Sequence, residues 1–165
     1  MEIYSEDKPW SETNKIRGEV LEYCKGNGVD IGSGGDKITD NVICIDKYSN
    51  TTANYLCDAR KLPFIDGVMD YVFSSHLLED FTNTREIIIE WIRILKTNGY
   101  LILYLPNQEN YVSHCKKYEQ SINPSHRVNM SLDYIIQSVS GLPLMVVKTI
   151  QHHCNYSFLV VFKKV

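Results

Sequence analysis

Short apolar runs alternate with longer amphipathic segments along most of the chain. Five of the runs are typical of β-strands, and they cover residues 29–31, 42–45, 55–57, 71–73 and 100–105. Apolar positions three and four residues apart share one face of a helix. They recur in three segments, namely residues 11–25, 83–97 and 131–141. The pattern therefore predicts a chain in which strands and helices alternate.

The ends of the predicted helices carry residues that favour starts and stops. Ser11 or Thr13 can cap the first helix and Ser131 the third, because their hydroxyl oxygens accept hydrogen bonds from free backbone N–H groups. Gly141 ends the third helix. Residues 107–130 show no regular pattern and are predicted to be irregular.

Several strands are apolar at every position, which is typical of strands buried on both faces of a parallel sheet. Helices then cover both faces, so the sequence predicts an α/β fold with three α/β/α layers. Two further strands, residues 144–150 and 157–163, are separated by a loop too short for a parallel crossover. They should form a C-terminal antiparallel hairpin. We expect a single domain over residues 1–165 with a mainly parallel sheet.

The composition excludes several other classes of protein. The chain is 44% hydrophobic and 22% charged, as in a globular domain. Its formal charge is −3, whereas proteins that bind nucleic acid through phosphates have an excess of basic residues. No nucleic-acid partner is therefore expected. No apolar run approaches the ~20 residues of a membrane span, and residues 1–10 are too polar for a signal peptide.

Cysteine usage favours a cytoplasmic location. The five cysteines are odd in number and form no Cys-x-x-Cys pair, which is typical of free thiols in a reducing compartment. His152, His153 and Cys154 are adjacent, but neighbouring residues of a strand point to opposite faces. We therefore expect no metal site there.

The candidate chemistry follows the predicted strands. Residues 32–35, Gly-Ser-Gly-Gly, follow the first strand, while Asp46, Asp58 and Ser74-Ser75-His76 follow the next three. Ligands of α/β sheets bind beyond the carboxyl ends of the strands. Glycines allow close approach to the backbone, and an acid after the second strand can accept both hydroxyls of a ribose. The order predicts a nucleoside-binding site, although each residue alone is also common turn chemistry.

These segments resemble the ordered motifs of one family. Val-Asp-Ile-Gly-Ser-Gly at residues 29–34 and Ile-Cys-Ile-Asp at residues 43–46 are similar to the first two motifs of class I S-adenosylmethionine-dependent methyltransferases. Residues 57–66, Cys-Asp-Ala-Arg-Lys-Leu-Pro-Phe-Ile-Asp, resemble the small-molecule, type 11-like subgroup. The resemblance covers about residues 29–107. It implies a Rossmann-like fold, methyl transfer and S-adenosylmethionine as cofactor.

The resemblance also implies roles for individual residues. Asp30, Gly32 and Gly34 would line the methionine and ribose side of the cofactor, and Asp46 would bind the ribose diol. Lys47 would lie beside the adenine, Asp58 would accept its amino group, and the Ala59 backbone would meet the ring edge. The remaining predicted cofactor-binding residues are Ser33, Arg60 and Ser75, with Ser75 near the sulfonium end.

Two histidines are candidate catalytic bases. His76 follows the fourth strand at the active edge of the predicted sheet, and His126 lies in the segment where family members place acceptor recognition. A base is needed only if the acceptor atom must lose a proton. Each histidine has a structural alternative, since His76 could pack under a loop and His126 could stabilise a turn.

Two departures from the family pattern affect the first crossover. Asp36 occupies the position of the third motif glycine. About nine residues join the first two strands, whereas a full crossover usually takes at least about 10–12. The first crossover helix is therefore expected to be one turn or absent. Lys37 replaces the last small residue of a dinucleotide-binding motif, which disfavours an oxidoreductase.

The sequence leaves the acceptor open. We expect transfer of a methyl group to an O or N atom of a small-molecule or glycan-like acceptor. The alternative is a weakly active or inactive cofactor-binding module that acts as a subunit or sensor. Little sequence extends beyond the core motifs, so a second copy or a partner subunit could complete the acceptor site.

Overall fold

The structure, a computed structural model, describes residues 11–48 and 53–165. In this part of the chain the helices are α1 (Glu12–Val20), α2 (Thr84–Arg93), α3 (Gln108–Lys117) and α4 (Leu132–Ser138). The strands are β1 (Gly28–Ile31), β2 (Ile43–Asp46), β3 (Tyr55–Leu56), β4 (Met69–Ser75), β5 (Leu95–Pro106), β6 (Leu144–His153) and β7 (Ser157–Lys164). A short 3₁₀ helix covers Leu78–Asp80.

The seven strands form one sheet in the order β3-β2-β1-β4-β5-β7-β6. Strands β1 to β5 pair with one another in parallel, whereas β7 is antiparallel to both β5 and β6. The mainly parallel Rossmann-like sheet with a C-terminal antiparallel hairpin is therefore confirmed.

Alternate residues of the central strands pack on opposite faces of the sheet. Val72 of β4 packs with Trp91 of α2 and with α4, while Phe73 packs with Ile16 of α1 on the other face. All four side chains are fully buried. Strands buried on both faces explain the continuous apolar runs, and the three-layer α/β/α prediction is correct.

The first crossover contains no helix. Residues 32–42 form turns instead, and Ile38 inserts its side chain into the core beneath α1. The backbone N–H of Ile38 donates to Asp30 Oδ2 at 2.8 Å. Arg17 of α1 donates to the carbonyl oxygen of Lys37 at 2.9 Å and to Asp36 Oδ1 at 2.7 Å. Helix α1 and this loop thus cover the face that a crossover helix would cover.

The predicted caps are present, but the first helix is shorter than expected. Ser11 Oγ accepts from the N–H of Asn14 at 2.9 Å, and Ser131 Oγ accepts from the N–H of Tyr134 at 3.1 Å. Helix α1 ends at Val20, and turns follow it to residue 23.

Helix α3 corrects the prediction that residues 107–130 are irregular throughout. Asn107 caps the helix by accepting from the N–H of Asn110 at 3.1 Å. Cys115 is its one buried residue, so the helix has no apolar stripe by which its sequence could reveal it.

No helix in the described ranges is long and apolar enough to cross a membrane. All five cysteines lie in these ranges, and no disulfide joins any two of them. Residues 1–10, which carried the signal-peptide argument, lie outside the described residues.

Candidate functional site

A cavity of about 420 Å³ opens at the carboxyl ends of β1, β2 and β3. This is the edge at which ligands of parallel α/β sheets bind. Six of the predicted cofactor-binding residues line it, and these are Gly32, Asp46, Lys47, Asp58, Ala59 and Arg60. The structure therefore brings together the residues that follow three separate strands.

The opposite wall of the cavity was not predicted from the sequence. It is built by residues that follow β4 and by the loop after α3, namely Leu77, Asp80, Phe81, Ser125 and Arg127. Leu77 and Asp80 lie two and five residues after the end of β4, so their place beyond a strand end could have indicated them. The loop residues carry no such signal, because their position depends on how the chain folds back over the sheet.

A side chain at Gly32 would have to displace the side chain of Leu77. Its φ is 77°, and a Cβ there would lie 2.7 Å from Leu77 Cδ2. Its N–H donates to the carbonyl oxygen of Ile45 at 2.8 Å, which ties the turn to β2. A glycine at this point keeps the floor of the cavity open to a ligand.

The carboxylate of Asp46 ends β2 at the cavity. Its Oδ2 accepts from the N–H of Gly34 at 3.0 Å, and its Oδ1 accepts from the N–H of Tyr48 at 3.1 Å. A carboxylate has about four lone-pair positions, so these two bonds leave acceptor capacity for a ligand's hydroxyls.

Asp58 and Arg60 form a charged pair on the cavity wall. Arg60 Nε and its backbone N–H each lie 2.9 Å from Asp58 Oδ1. Arg60 Nη2 lies 2.5 Å from Asp58 Oδ2. These hydrogen bonds lower the pKa of Asp58 to about 2. The predicted adenine acceptor is therefore ionised at neutral pH and already bonded to Arg60 in this structure.

Four predicted cofactor-binding residues do not line the cavity. Asp30 is buried on the α1 side of the sheet, and burial raises its pKa to about 8. Ser33 is buried beside the Cys44 thiol, and Ser75 is buried at the end of β4. Gly34 is exposed, with open space where a Cβ would stand.

His76 lies just beyond β4 in a left-handed backbone conformation with φ 49°. Its Nε2 is 3.0 Å from Ser157 Oγ and 3.5 Å from Glu12 Oε2. The ring packs near Tyr104 and Tyr156. Burial lowers the pKa of His76 to about 4, so the imidazole is neutral at pH 7.

His126 comes from the loop after α3 and lies near His76. Its Nδ1 is 3.1 Å from Gln108 Oε1, and its ring centroid is 4.8 Å from that of Tyr111. Burial lowers the pKa of His126 as well. Neither histidine lines the cavity, but the neighbours of each do: Leu77 follows His76, and His126 lies between Ser125 and Arg127.

The sequence did not single out Glu79, the carboxyl that faces both histidines. Its Oε1 is 3.8 Å from His76 Nδ1 and 3.7 Å from His126 Nε2. The signal available was its position one helical turn after His76.

The described residues contain no group of three or more His, Cys, Asp or Glu side chains arranged to hold a metal ion. His152 and His153 contact different partners: His152 Nδ1 is 3.5 Å from Asn110 Nδ2, and His153 Nδ1 is 2.9 Å from the Tyr104 hydroxyl.

Comparison with known families shows which family the chain belongs to. A methyltransferase domain model matches residues 18–103, which is more than half of the chain. The chain belongs to the methyltransferase family. The matched residues include β1 to β4 and most of the cavity lining, and the family assignment agrees with the class I, type 11 resemblance.

Solved structures share the fold of this methyltransferase. The PH0226 protein of Pyrococcus horikoshii is 20% identical, with a TM-score of 0.72 over 92% of this chain and 89% of that one. A chain of the Haloferax volcanii complex that contains the Trm112 methyltransferase activator is 15% identical, with a TM-score of 0.72 over 96% and 91%.

An S-adenosylmethionine-dependent methyltransferase from Aquifex aeolicus is 16% identical, with a TM-score of 0.66 over 90% of this chain and 89% of that one. A search of curated proteins finds no match. At these identities the solved structures show the fold, while the family match gives the class of reaction.

The residues of the cavity fit the family's cofactor, S-adenosylmethionine. The volume of the cavity lies in the range of small-molecule binding sites. The Asp46 carboxylate suits a ribose diol, the space at Gly32 suits close backbone contact, and Ile31, Leu77 and Phe81 supply apolar surface for a nucleobase.

Proposed function

We propose that this methyltransferase transfers a methyl group to an O or N atom of a small-molecule or glycan-like acceptor. One observation carries the cofactor-binding part of the proposal: the residues after β1, β2 and β3 line a single cavity, with Asp46 at its edge. The family match supports S-adenosylmethionine-dependent methyl transfer.

In this proposal the cavity residues divide the cofactor between them. Gly32 and Asp46 would hold the ribose side, and Ala59 would contact the adenine edge with its backbone. Asp58 would bind the adenine amino group either beside Arg60 or after Arg60 turns away. Lys47 would lie over the adenine face. Asp30, Ser33, Gly34 and Ser75 would act from behind this wall, through the turn and the strand ends that they shape.

The protein's own residues take part in little covalent chemistry during methyl transfer. The bound cofactor supplies a methyl group on a sulfonium, which is a strong electrophile. The protein's residues then have to orient the acceptor atom and exclude water. His76 and His126 are neutral at pH 7 by the direction of their pKa shifts, so either imidazole can accept a proton from the acceptor.

A partner could complete the acceptor site. The loop in place of the first crossover helix leaves Gly34 and Lys37 exposed beside the cavity. One solved structure with the same fold comes from a complex with a methyltransferase activator. We include a partner subunit or a second copy of this chain in the proposal as a cover for that side.

The test is formation of S-adenosylhomocysteine over a panel of amines, phenols, alcohols and oligosaccharides. The wild type should turn over at least one acceptor of these classes. His76→Ala should lower kcat by ~10²–10⁴-fold if His76 is the base. Cofactor binding by the wild type with no turnover of any acceptor would contradict the proposal and favour the inactive binding module.

A further inference from the structure

A buried hydrogen bond joins the turn after β3 to helix α2. The indole N–H of Trp91 donates to the carbonyl oxygen of Ala59 at 2.9 Å. Trp91 is fully buried, and Ala59 lines the cavity. An indole has one donor and no acceptor, and a buried carbonyl without a partner costs free energy. Each of these two groups therefore depends on the other for its hydrogen bond.

This bond acts on one peptide unit, the unit that joins Ala59 to Arg60. A peptide unit is planar, and in its trans form the carbonyl oxygen and the N–H point to opposite sides. The carbonyl oxygen accepts from Trp91, and the N–H of Arg60 donates to Asp58 Oδ1 at 2.9 Å. Trp91 thus fixes the plane of a peptide whose other side holds a carboxylate of the cavity wall.

Two other residues of α2 hold the next part of the same segment. Glu90 Oε1 accepts from the N–H of Leu62 at 2.7 Å, and Arg93 Nη1 donates to the carbonyl oxygen of Phe64 at 2.7 Å. Neither Leu62 nor Phe64 lines the cavity. Of these three attachments to α2, only the one made by Trp91 reaches a residue of the cavity wall.

The side chain of Asp58 depends on this peptide for a fixed orientation. It is 37% exposed, and the side chain of Arg60, which also bonds it, is 55% exposed. An exposed arginine is a weak restraint, because it has many rotamers and water screens its charge. The backbone N–H of Arg60 is better fixed, since its peptide is held from behind by a fully buried side chain.

We propose that Trp91 is a positioning residue, which orients the Asp58 carboxylate through the peptide between Ala59 and Arg60 and thereby makes the cavity selective for adenine. The inference rests on the proposed function, in which Asp58 accepts the amino group of adenine. An ionised carboxylate only accepts hydrogen bonds. It suits the amino group of adenine, and it repels the oxygen that hypoxanthine carries at the same position.

The test compares two ligands by calorimetry, S-adenosylhomocysteine and S-inosylhomocysteine, in which hypoxanthine replaces adenine. The wild type should bind the adenine compound at least about tenfold more tightly. Trp91→Phe removes the indole N–H and keeps an aromatic ring in the core. It should weaken binding of the adenine compound by about tenfold and change binding of the hypoxanthine compound little. A general loss of structure would weaken both, so the ratio of the two affinities is the decisive quantity.

Two further variants serve as references for this ratio. Tyr134→Phe removes a hydroxyl that bonds Thr84 Oγ1 at 3.1 Å. Tyr134 packs on the same side of the sheet as Trp91, so this variant should keep the wild-type ratio. Asp58→Asn replaces the carboxylate with an amide that also donates, and it should narrow the ratio because hypoxanthine then finds a donor.

A folded Trp91→Phe that keeps the wild-type ratio while Asp58→Asn narrows it would overturn the inference alone. If the wild type binds neither compound, or if Asp58→Asn leaves the ratio unchanged, the proposed cofactor contacts fail and the inference fails with them.

An NMR measurement replaces the variant if Trp91→Phe does not fold. In Trp10→Phe, Trp91 is the remaining one of the two tryptophans. Its indole N–H resonance should shift more on saturation with S-adenosylhomocysteine than with S-inosylhomocysteine, because only the adenine compound bonds Asp58 at the far side of the peptide. Equal shifts with the two compounds would overturn the inference.

Discussion

Gly32 and Gly34 both have positive φ, at 77° and 62°. Of these two positions, only at Gly32 would an added Cβ meet a neighbouring side chain. Gly34→Ala meets open space and should cost roughly 1–2 kcal/mol for the left-handed backbone. Gly32→Ala adds a collision with Leu77 at the cavity floor, so it should lose more stability and also cofactor affinity. Urea unfolding and calorimetry of the pair measure both quantities. Equal losses in the two variants would contradict this account of the turn.

Asp30 should make stability fall as the pH rises. Its pKa is about 8 in the folded protein against an ordinary 3.8, so the folded state keeps a proton that the unfolded state releases between these values. This contribution is fully present below about pH 4 and is lost as the pH rises through 8. Asp30→Asn keeps an acceptor for the N–H of Ile38 and removes the titration.

The melting temperature of Asp30→Asn relative to wild type should therefore be higher at pH 8 than at pH 5. Asp40→Asn, an exposed acid of the same loop, serves as the control and should show no such trend. A difference between Asp30→Asn and wild type that stays constant with pH would contradict the argument.

The residues that sequence alone located best are those fixed directly by a strand. Gly32, Asp46 and Asp58 follow strand ends, and a parallel sheet brings such ends to one edge. Glu79 lies in the short 3₁₀ helix after β4 and Arg127 in the loop after α3, and both escaped prediction because the paths of such connections depend on tertiary packing. Asp30 stays a predicted cofactor-binding residue, and alternation along β1 turns its side chain to the α1 face.

Helix α1 holds the loop that replaces the first crossover helix. Arg17 bonds Asp36 and the carbonyl oxygens of Lys37 and Ile38, and the loop's Gly34 N–H bonds Asp46. Arg17→Ala should thus cost about 1–3 kcal/mol of stability and also weaken cofactor binding through Asp46.

The matched control for Arg17→Ala is Arg85→Ala. Arg85 likewise donates to two backbone carbonyls, those of Ser138 and Ser140, but next to α4. The Arg85→Ala variant should have a lower free energy of unfolding than the wild type and an unchanged calorimetric affinity for S-adenosylhomocysteine. Unchanged affinity in Arg17→Ala as well would show that the loop does not depend on this anchor.

At the scale of elements, amphipathic segments were predictable and polar ones were not. The stripe of α2 buries Ile88, Trp91 and Ile92, so its periodicity was visible in the sequence. Helix α3 buries Cys115 alone, and its start at Asn107 directly after a strand gave the only local signal. The missing crossover helix was predictable, because chain length limits what can fit between β1 and β2.

At the scale of the whole molecule, the strand patterns predicted which strands run parallel and which antiparallel. They did not predict the order of the strands in the sheet. Apolar strands indicate a parallel sheet, and a short loop indicates a hairpin. The placement of β7 between β5 and β6 depends on contacts distant in sequence, which no local pattern encodes.

The intact protein should be stabilised by S-adenosylmethionine and by S-adenosylhomocysteine. A ligand at 100 times its Kd adds roughly 2.7 kcal/mol, which for a chain of this length raises Tm by about 5–11 °C. NAD at the same concentration is the control and should produce no shift, because the motif after β1 has Lys37 where a dinucleotide site needs a small residue. An equal or larger shift with NAD would contradict the cofactor assignment.

The most direct test of the account is calorimetric titration of Asp46→Ala with S-adenosylhomocysteine. Two charge-assisted hydrogen bonds to the ribose diol are worth roughly 1.5–3 kcal/mol each, so the loss should approach ~3–4 kcal/mol, a few hundred-fold in Kd. Asp46→Asn keeps one good acceptor and should lose less, and Asp40→Ala should bind like the wild type. Binding by folded Asp46→Ala within about threefold of the wild type would contradict the ribose assignment and with it the placement of the cofactor in this cavity.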